Sequence, residues 1–194
     1  MKYNRGLGDT KPPGGQFRVD FLTLASESLI MPILNSRTFE FFSRSPEQTR
    51  RLGMRLGALL QIGDLLCLSG DLGAGKTTLV QGLAQGWGSL DSVSSPTFVL
   101  VNVYRKPTGQ NLYHLDAYRL QNALEAEDLD LDLMLENGSL VVEWPERILA
   151  ALPSECLWVK MRWIADEQRG MVFWPEGERY AQALTEFRKQ VVGG

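Results

Sequence analysis

The sequence predicts an α/β fold: one three-layer domain around a mixed central sheet. Apolar segments of strand length and segments with apolar residues at helical spacing follow one another along most of the chain. Two adjacent strand segments are separated by residues 106–109, which have the composition of a tight turn, so they form an antiparallel hairpin and the sheet is not purely parallel. A glycine-rich loop at residues 70–77 lies between a strand segment and a helix segment.

Composition bounds the function. The 194 residues are enough for one sizeable core, and 44% hydrophobic and 22% charged residues are typical of globular proteins. A net charge of −3 argues against tight direct binding of nucleic acid, which needs a strongly basic surface. The two cysteines form no disulfide framework and no metal-ligand pattern, and no apolar run is long enough for a membrane span. We therefore predict a cytoplasmic protein.

Residues 1–35 differ from the rest and are predicted to be a flexible N-terminal extension. Glycine and proline crowd residues 6–15, and the more apolar stretch after them shows no clear period. Met31 is a candidate for the true start of translation, which mass spectrometry of the native N-terminus would settle. The domain itself is predicted to span residues 36–194.

The predicted domain opens with a strand over residues 37–43 and an amphipathic helix. Ser45, Pro46 and Glu47 form a helix-start signature: a capping side chain, a proline at the first helical position and an acid in the first turn. The apolar stripe of this helix consists of leucines at positions 52, 56, 59 and 60. A turn at Gly63 leads into the apolar strand that precedes the glycine-rich loop.

The elements after the loop are predicted in the same way. The first is a helix that ends at Gly86 and Gly88, and a polar segment and the hairpin follow it. An acid-rich helix over residues 123–136 ends at Asn137 and Gly138. The predicted strands cover residues 98–104, 111–116, 140–143, 157–163 and 171–174, and the apolar face of a closing helix contains Tyr180, Leu184, Phe187 and Val191.

The glycine-rich loop fits the phosphate-binding pattern of two glycines with four residues between them, followed by lysine and a hydroxyl residue. Its residues are Gly70, Asp71, Leu72, Gly73, Ala74, Gly75, Lys76 and Thr77. The glycines allow backbone conformations that a Cβ forbids, so that N–H groups can hold phosphate oxygens beside the positive end of the next helix. Lys76 supplies charge to the outer phosphates and Thr77 a hydroxyl to Mg²⁺, which predicts a P-loop NTPase-like domain.

Cleavage of phosphate also needs a second acid that places the ion and a water. Asp116 and Glu143 each end a predicted strand, where the ligand crevice of such folds lies. One would bind the ion while the other holds a water or Lys76, and the sequence leaves open which. His114 shares the strand face of Asp116 and is either a general base or a hydrogen-bonded structural residue. Trp144 covers the crevice, offers a partner surface or packs in the core.

The other charged clusters are interpreted as solvated helix faces. The acids at residues 125–132 lack the glycine and the terminal glutamate of an EF-hand calcium loop. Arg50, Arg51 and Arg55 lie on one early helix, and a solvated face explains them without nucleic acid.

Four segments carry a family resemblance. They are the nucleotide loop through Thr78, then Ser95-Pro96-Thr97-Phe98, then His114-Leu115-Asp116-Ala117-Tyr118-Arg119-Leu120, then Val142-Glu143-Trp144-Pro145-Glu146. Over about residues 37–174 the chain resembles TsaE (formerly YjeE), a family of bacterial P-loop ATPases. The resemblance implies that ATP and Mg²⁺ are bound and that the protein supports synthesis of N6-threonylcarbamoyladenosine on tRNA. It also implies a TsaD–TsaB heterodimer as the partner, which the ATPase resets and through which tRNA is reached.

The resemblance implies roles for residues at and near the loop. Lys76, Asp116 and Glu143 are the expected catalytic residues. Thr77 and Glu143 are the expected magnesium ligands, and the nucleotide loop continues to Thr78. The N-terminal extension departs from the compact family pattern and is assigned no role.

Three further groups are matched to the family by position. The family region that lies against the adenine corresponds in this chain to the predicted helix start, at Pro46, Glu47 and Thr49. A late arginine on the nucleotide side is matched by Arg169. The family residues that are switch-like or face the partner correspond in this chain to Ser95, Thr97 and Trp144.

Two other functions stay open at this point. A small-molecule kinase would use the same loop, with an acceptor pocket and arginines over the transferred phosphate. Arg119 and Arg147 are present, but no lid is evident in the sequence. A nucleotide-gated binding module would use ATP only to order residues 86–97, without turnover.

Overall fold

Seven strands form one mixed sheet. The computed structural model describes residues 38–94, 96 and 99–193. In chain order the strands are β1 (Phe39–Ser43), β2 (Leu65–Ser69), β3 (Val101–Arg105), β4 (Asn111–Asp116), β5 (Gly138–Glu143), β6 (Cys156–Ala165) and β7 (Gln168–Glu176). Their order across the sheet is β1-β7-β6-β2-β5-β4-β3. β6, β2, β5 and β4 pair in parallel, whereas β7 is antiparallel to both of its neighbours and β3 to β4. This confirms the predicted mixed sheet and its hairpin.

Helices cover both faces of the sheet, as a three-layer fold requires. They are α1 (Pro46–Gly57), α2 (Lys76–Trp87), α3 (Leu124–Glu127), α4 (Leu131–Asn137) and α5 (Glu178–Val192). Leu66 and Leu68 of β2 pack with α1, α2 and α5, whereas Leu65 and Cys67 face the other way and pack with α3 and α4. β2 is thus buried on both faces, as its continuous apolar sequence predicts. In the described part of the chain, no helix has the length and apolar character to cross a bilayer.

The predicted start of α1 is confirmed. The Ser45 hydroxyl accepts a hydrogen bond from the N–H of Gln48 at 3.2 Å, and Pro46 takes the first helical position. Leu52 and Leu56 are buried on the inner face of the helix. The leucines at positions 59 and 60 lie beyond the helix end but pack against the same core, so the stripe continues where the helix does not.

The prediction that α2 ends at Gly86 is wrong. The helix continues to Trp87, and Gly88 ends it with a φ of 98°. Gly86 faces α1, where an added Cβ would overlap the backbone of Met54. It is therefore a residue of close helix packing and not a stop signal.

The single acid-rich helix predicted over residues 123–136 is also wrong. The chain forms α3 and α4, which are separated where Asp130 takes a left-handed conformation with a φ of 51°. This break lets Ala126 and Leu131 both reach the core. The predicted end of the segment is confirmed, since α4 ends at Asn137 and Gly138 is its C-cap residue. Gly138 is also the first residue of β5, where an added Cβ would overlap the carbonyl of Asn111 on β4.

Several predicted strands differ from the observed ones at their ends. β3 begins at Val101 instead of residue 98, which lies outside the described residues. β6 and β7 are longer than predicted, because they pair with each other as a hairpin beyond their apolar centres. The predicted extension over residues 1–35, with Met31, and the first two residues of the predicted domain lie outside the described residues, so these domain limits stay predictions.

Tyr180 connects α5 to the sheet by a hydrogen bond and makes the stability of the fold sensitive to pH in the alkaline range. Its hydroxyl oxygen accepts from the N–H of Leu65 at 2.8 Å, and burial raises the pKa of Tyr180 from 10.0 to about 12. Because the folded-state pKa is the higher one, this stabilisation is complete below pH 10 and is lost as the pH rises from 10 through 12. Over that interval we expect the free energy of unfolding of the wild type to fall by about 2–3 kcal/mol relative to that of Tyr180→Phe. Urea unfolding of both proteins at several pH values measures this loss. Free energies of unfolding that change with pH by the same amount in the two proteins would contradict it.

Candidate functional site

The glycine-rich loop connects β2 to α2 through three residues with positive φ. Gly70, Gly73 and Gly75 have φ values of 138°, 80° and 96°, a region that residues with side chains rarely adopt. Space is a second constraint at Gly70, since an added Cβ would overlap the backbone carbonyl of Met161 on β6. The loop bends tightly over the end of β2, and its tip at Leu72 is 84% exposed.

The start of α2 presents backbone N–H groups without a cap. Gly75 is the N-cap residue, no side chain caps the helix, and its first turn contains no acid. The first N–H groups of a helix have no partner within it, and the helix dipole adds positive potential there. This end of α2 is therefore able to bind phosphate oxygens, the role predicted for residues 70–78.

The Lys76 ammonium folds back over the loop. Its Nζ atom donates to the carbonyl oxygens of Gly70 at 2.7 Å and Asp71 at 3.1 Å, and lies 4.1 Å from the centroid of the Trp144 ring. Burial lowers the pKa of Lys76, whereas the Glu143 carboxylate acts in the opposite direction. The cation is thus held against the loop by two backbone carbonyl oxygens and the Trp144 ring.

Glu143 ends β5 and reaches the loop. Its Oε1 atom accepts from the Thr77 hydroxyl at 3.1 Å and lies 2.9 Å from His114 Nε2. Glu143 is 4% exposed and His114 is fully buried. The two predicted magnesium ligands are therefore in direct contact, and the contact with Glu143 favours the structural interpretation of His114 over a general base.

Asp116 ends β4 directly opposite Glu143. The two residues are paired in the parallel ladder, so both carboxylates lie on the same face of the sheet. Asp116 Oδ1 accepts from the N–H of Tyr118 at 3.0 Å and so caps the 3-10 turn at Ala117–Arg119. The two acids therefore lie together but differ in role: Glu143 contacts the loop, whereas Asp116 holds the next turn.

A divalent ion at this site would take its protein ligands from Thr77 and Glu143. Within residues 38–94, 96 and 99–193, no group of three or more His, Cys, Asp or Glu side chains could hold a metal. Mg²⁺ needs no such group, because it binds through oxygen and keeps phosphate and water in most of its shell. A hydroxyl and a carboxylate beside an anion-binding loop fit this ion.

Arg169 has one buried donor without a hydrogen-bond partner. Its Nη1 atom donates to the carbonyl oxygens of Asp166 at 2.8 Å and Gln168 at 2.9 Å, but Nε is buried and unpaired. Nε lies 3.7 Å from the position that a Cβ would take at Gly75. Since buried donors are nearly always paired in native proteins, this one indicates a ligand beside the loop.

α1 begins shortly after β1, the strand that pairs with β7 and places its last residue opposite Arg169. Ser43, the last residue of β1, lies opposite Arg169 in the ladder with β7, and α1 begins at Pro46. Glu47 is exposed. Thr49 is 1% exposed, and its hydroxyl donates to Ser43 Oγ at 2.8 Å, so it fixes the connection between β1 and α1.

Trp144 adopts a left-handed backbone conformation, with a φ of 60°, directly after Glu143. Its N–H donates to the carbonyl oxygen of Leu68 at 3.2 Å. Its ring covers the Lys76 ammonium and packs against Tyr118 at a centroid distance of 5.1 Å. A left-handed non-glycine residue costs about 1–3 kcal/mol, and here it aims the indole at the loop. This supports the interpretation of Trp144 as a cover over the crevice.

A polar contact between the hairpin and the segment that follows α2 was not predicted from the sequence. The Tyr104 hydroxyl lies 3.0 Å from the carbonyl oxygen of Ser94 and 3.2 Å from His114 Nδ1. Asn102 Nδ2 donates to the same carbonyl oxygen at 3.0 Å. Both side chains belong to β3, and no local pattern distinguishes them from other strand residues.

The predicted switch-like loop is described only in part. Ser95 and Thr97 lie outside the described residues, and their assignment stays a prediction. Beside them, the N–H groups of Val99 and Leu100 donate to the carbonyl oxygen of Pro96 at 2.9 and 3.0 Å, which closes a turn before β3.

Comparisons with known proteins agree with this geometry. A family model described as "Threonylcarbamoyl adenosine biosynthesis protein TsaE" matches residues 43–171. A Streptomyces coelicolor protein named "tRNA threonylcarbamoyladenosine biosynthesis protein TsaE" is 47% identical over 140 residues, which are 69% of this chain and 95% of the relative. A Bacillus subtilis protein of the same name is 38% identical over 146 residues, 75% and 90% of the two chains. The crystal structure of Bacillus subtilis YdiB covers 80% of this chain and 97% of its own, with a TM-score of 0.67 and 31% identity.

Proposed function

The chain belongs to the TsaE family, and from this premise we propose that it is the ATP-binding and ATP-hydrolysing component of tRNA threonylcarbamoyladenosine biosynthesis. In this proposal it acts in the cytoplasm with a TsaD–TsaB heterodimer and does not itself transfer the threonylcarbamoyl group. The names of the relatives support a role in tRNA threonylcarbamoyladenosine biosynthesis. The P-loop supports binding of a nucleotide in that role.

One observation carries the ATPase proposal: the Thr77 hydroxyl and the Glu143 carboxylate meet at 3.1 Å beside the uncapped end of α2. In P-loop enzymes a hydroxyl and an acid at these positions hold Mg²⁺ against the outer phosphates. Thr77 and Glu143 would hold the ion here, and it would supply positive charge to the phosphate oxygens as negative charge develops. Lys76 would add its own charge to the same phosphates.

Asp116 suits the second acidic role. It lies opposite Glu143 on the same face of the sheet. Its carboxylate accepts a hydrogen bond from the turn after β4 and not from the loop. Such a carboxylate is fixed in orientation and keeps acceptor capacity for one more donor. We assign it to orienting the attacking water, with Glu143 as the residue that faces the ion.

The modest acidity of the chain supports indirect contact with tRNA. A net charge of −3 gives no strongly basic surface, which a protein needs to hold an RNA backbone by itself. A partner that binds the tRNA removes this requirement. We therefore assign RNA binding to the TsaD–TsaB complex and nucleotide binding to this chain.

Phosphate release from the purified full chain tests the proposed function. We expect slow hydrolysis of ATP alone and faster hydrolysis when TsaD and TsaB are added. Glu143→Gln should lower the rate by about 100-fold or more, because Glu143 would position the Mg²⁺ charge against the transition state, and loss of one such electrostatic contact has effects of that size. MgATP binding, followed by calorimetry, should persist. Absence of phosphate release with both partners present would contradict the ATPase and leave the nucleotide-gated binding module.

The unpaired Nε of Arg169 gives a second prediction. Arg169→Ala should weaken MgADP binding by about tenfold, the value of one charge-assisted hydrogen bond. Arg162→Ala is the matched control, because Arg162 lies on the same β6–β7 hairpin and is exposed. Calorimetry measures both. Equal affinities for Arg169→Ala and the wild type would remove Arg169 from the nucleotide side.

A further inference from the structure

A continuous line of polar contacts connects the phosphate-binding loop to the segment after α2. Thr77 and His114 Nε2 both contact Glu143 Oε1, at 3.1 and 2.9 Å. On the other side of the imidazole, Nδ1 lies 3.2 Å from the Tyr104 hydroxyl, which lies 3.0 Å from the Ser94 carbonyl oxygen. His114 and Tyr104 are 0% and 3% exposed, so their polar atoms depend on one another. We name Glu143, His114, Tyr104 and Ser94 the relay.

The register of the sheet places three members of the relay, Glu143, His114 and Tyr104, on adjacent strands. His114 on β4 is opposite Asn102 on β3 and Val141 on β5. Tyr104 and Glu143 are each two residues further along their strands, so all three side chains lie on one face, as diagonal neighbours. The contacts among these three side chains are therefore built into the sheet, and only the last contact, to Ser94, leaves it.

The number of protons limits how the relay can be bonded. The Tyr104 hydroxyl has one proton and can donate it either to His114 Nδ1 or to the Ser94 carbonyl oxygen. A neutral imidazole also has one N–H. If that N–H is at Nε2 and donates to Glu143, then Nδ1 accepts from Tyr104 and the Ser94 carbonyl loses this donor. If it is at Nδ1, it donates to Tyr104, whose proton then goes to Ser94.

We propose that Glu143 sets the tautomer of His114 and thereby controls whether Tyr104 holds the Ser94 carbonyl. The two states contain the same protons, one on the imidazole and one on the tyrosine oxygen, so no net proton uptake is involved. The proposal rests on the proposed function only in identifying Mg²⁺ with nucleotide as what draws Glu143 away from His114.

The direction of the effect follows from the cost of an unpaired donor. With Glu143 withdrawn, an N–H at Nε2 would be buried and unpaired, whereas an N–H at Nδ1 still has the Tyr104 oxygen as acceptor. The Nδ1–H tautomer is then preferred, and Ser94 gains a second donor beside Asn102. Withdrawal of Glu143 therefore tightens the segment at residues 89–94, which leads directly into the predicted switch-like loop.

The chain offers a direct probe, because His114 is its only histidine. In the full chain labelled with ¹⁵N-histidine, without nucleotide and at neutral pH, the imidazole signals distinguish the two tautomers and the imidazolium. We expect Nε2–H in the wild type and Nδ1–H in Glu143→Ala. Glu143→Leu keeps the volume filled and serves if the alanine variant does not fold. An imidazolium or Nδ1–H in the wild type, or an unchanged tautomer in folded Glu143 variants, would overturn the proposal.

Amide hydrogen exchange measures the other end of the relay. Exchange of the peptide covering residues 88–100 should slow by roughly tenfold in Glu143→Leu, as one added hydrogen bond implies. Adding Tyr104→Phe should abolish this response, although Tyr104 does not touch Glu143. Tyr180→Phe is the control, since it removes a buried hydroxyl that is bonded elsewhere, to Leu65. A response that persists without the Tyr104 hydroxyl would overturn the proposal.

These measurements contain no nucleotide, so they are separate from the test of the proposed function. Calorimetry that detects no MgADP binding, together with the expected tautomer change, would overturn the proposed function and keep the relay. Normal MgADP binding without a tautomer change would overturn the relay alone.

Discussion

Replacement of Lys76 by alanine should weaken binding of MgATP by about 100-fold or more. Lys76 is 5% exposed, and its ammonium is held against the loop by the carbonyl oxygens of Gly70 and Asp71. A hydrogen bond to a charged group contributes about 1.5–3 kcal/mol, and 1.4 kcal/mol is a factor of ten in affinity, so two phosphate contacts account for this loss. Calorimetry with the purified full chain gives the affinity directly.

The same substitution should leave the fold almost unchanged. Burial lowers the pKa of Lys76, which means that the charged form is penalised in the folded protein. Removing the ammonium therefore also removes a cost, and the variant should unfold at nearly the wild-type urea concentration. Loss of binding in a protein that has itself unfolded would not support a phosphate role, so the unfolding curve belongs with the calorimetry.

Lys106→Ala is a close control. Lys106 Nζ lies 4.1 Å from the centroid of the Trp87 ring, the same separation as between Lys76 and Trp144, and burial lowers its pKa as well. The two lysines thus share a cation–π contact and partial desolvation but differ in their place relative to the loop. Lys106→Ala should bind MgATP with an affinity near that of the wild type. Equal losses in the two variants would show that Lys76 acts through stability and not through phosphate.

The parts of the site that lie within one segment were predictable from sequence. The loop needs glycine, lysine and threonine at fixed spacing, because one stretch of backbone has to place all of these groups around the phosphates. The placement of Asp116 and Glu143 at one edge of the sheet was also predictable, because the carboxyl ends of parallel strands lie together. In each case the physical constraint acts between neighbours in the chain or follows from the element type.

The contacts that separate the two acids depend on register, which the sequence does not reveal. Glu143 reaches Thr77 and His114, whereas Asp116 turns to the N–H of Tyr118. A shift of one residue between β4 and β5 would put the two carboxylates on opposite faces of the sheet. The orphaned donor of Arg169 depends in the same way on how the β6–β7 hairpin pairs, so only coordinates could identify it.

Glycines illustrate the same limit most clearly. A glycine near a helix end is a reasonable stop signal, and Gly88 is one, with its positive φ. Gly86, two residues earlier, is inside the helix and faces α1. α1 and α2 share a close interface where an added Cβ on either helix would overlap the backbone of the other, at positions Gly53, Gly57, Gly82 and Gly86. Spacing of four residues on both helices is the sequence signal, but it has meaning only once the two helices are known to pack together.

Gly82→Ala should therefore lower the free energy of unfolding by about 2 kcal/mol or more, although alanine is the better helix former by up to about 1 kcal/mol. The added methyl group would overlap the backbone of Arg50. A backbone cannot rotate away as a side chain can, so the helices must separate and lose packing along their length. Urea unfolding gives the change in free energy.

The exposed neighbour Gln85 provides the control for helix propensity. Gln85→Ala also introduces alanine into α2, but at an exposed position, so its free energy of unfolding should stay within about 0.5 kcal/mol of the wild type. α2 begins with Lys76 and Thr77, so a displaced helix should also weaken MgADP binding in Gly82→Ala. A Gly82→Ala protein more stable than the wild type would mean that α1 and α2 are further apart than described, and that these glycines are ordinary weak helix residues.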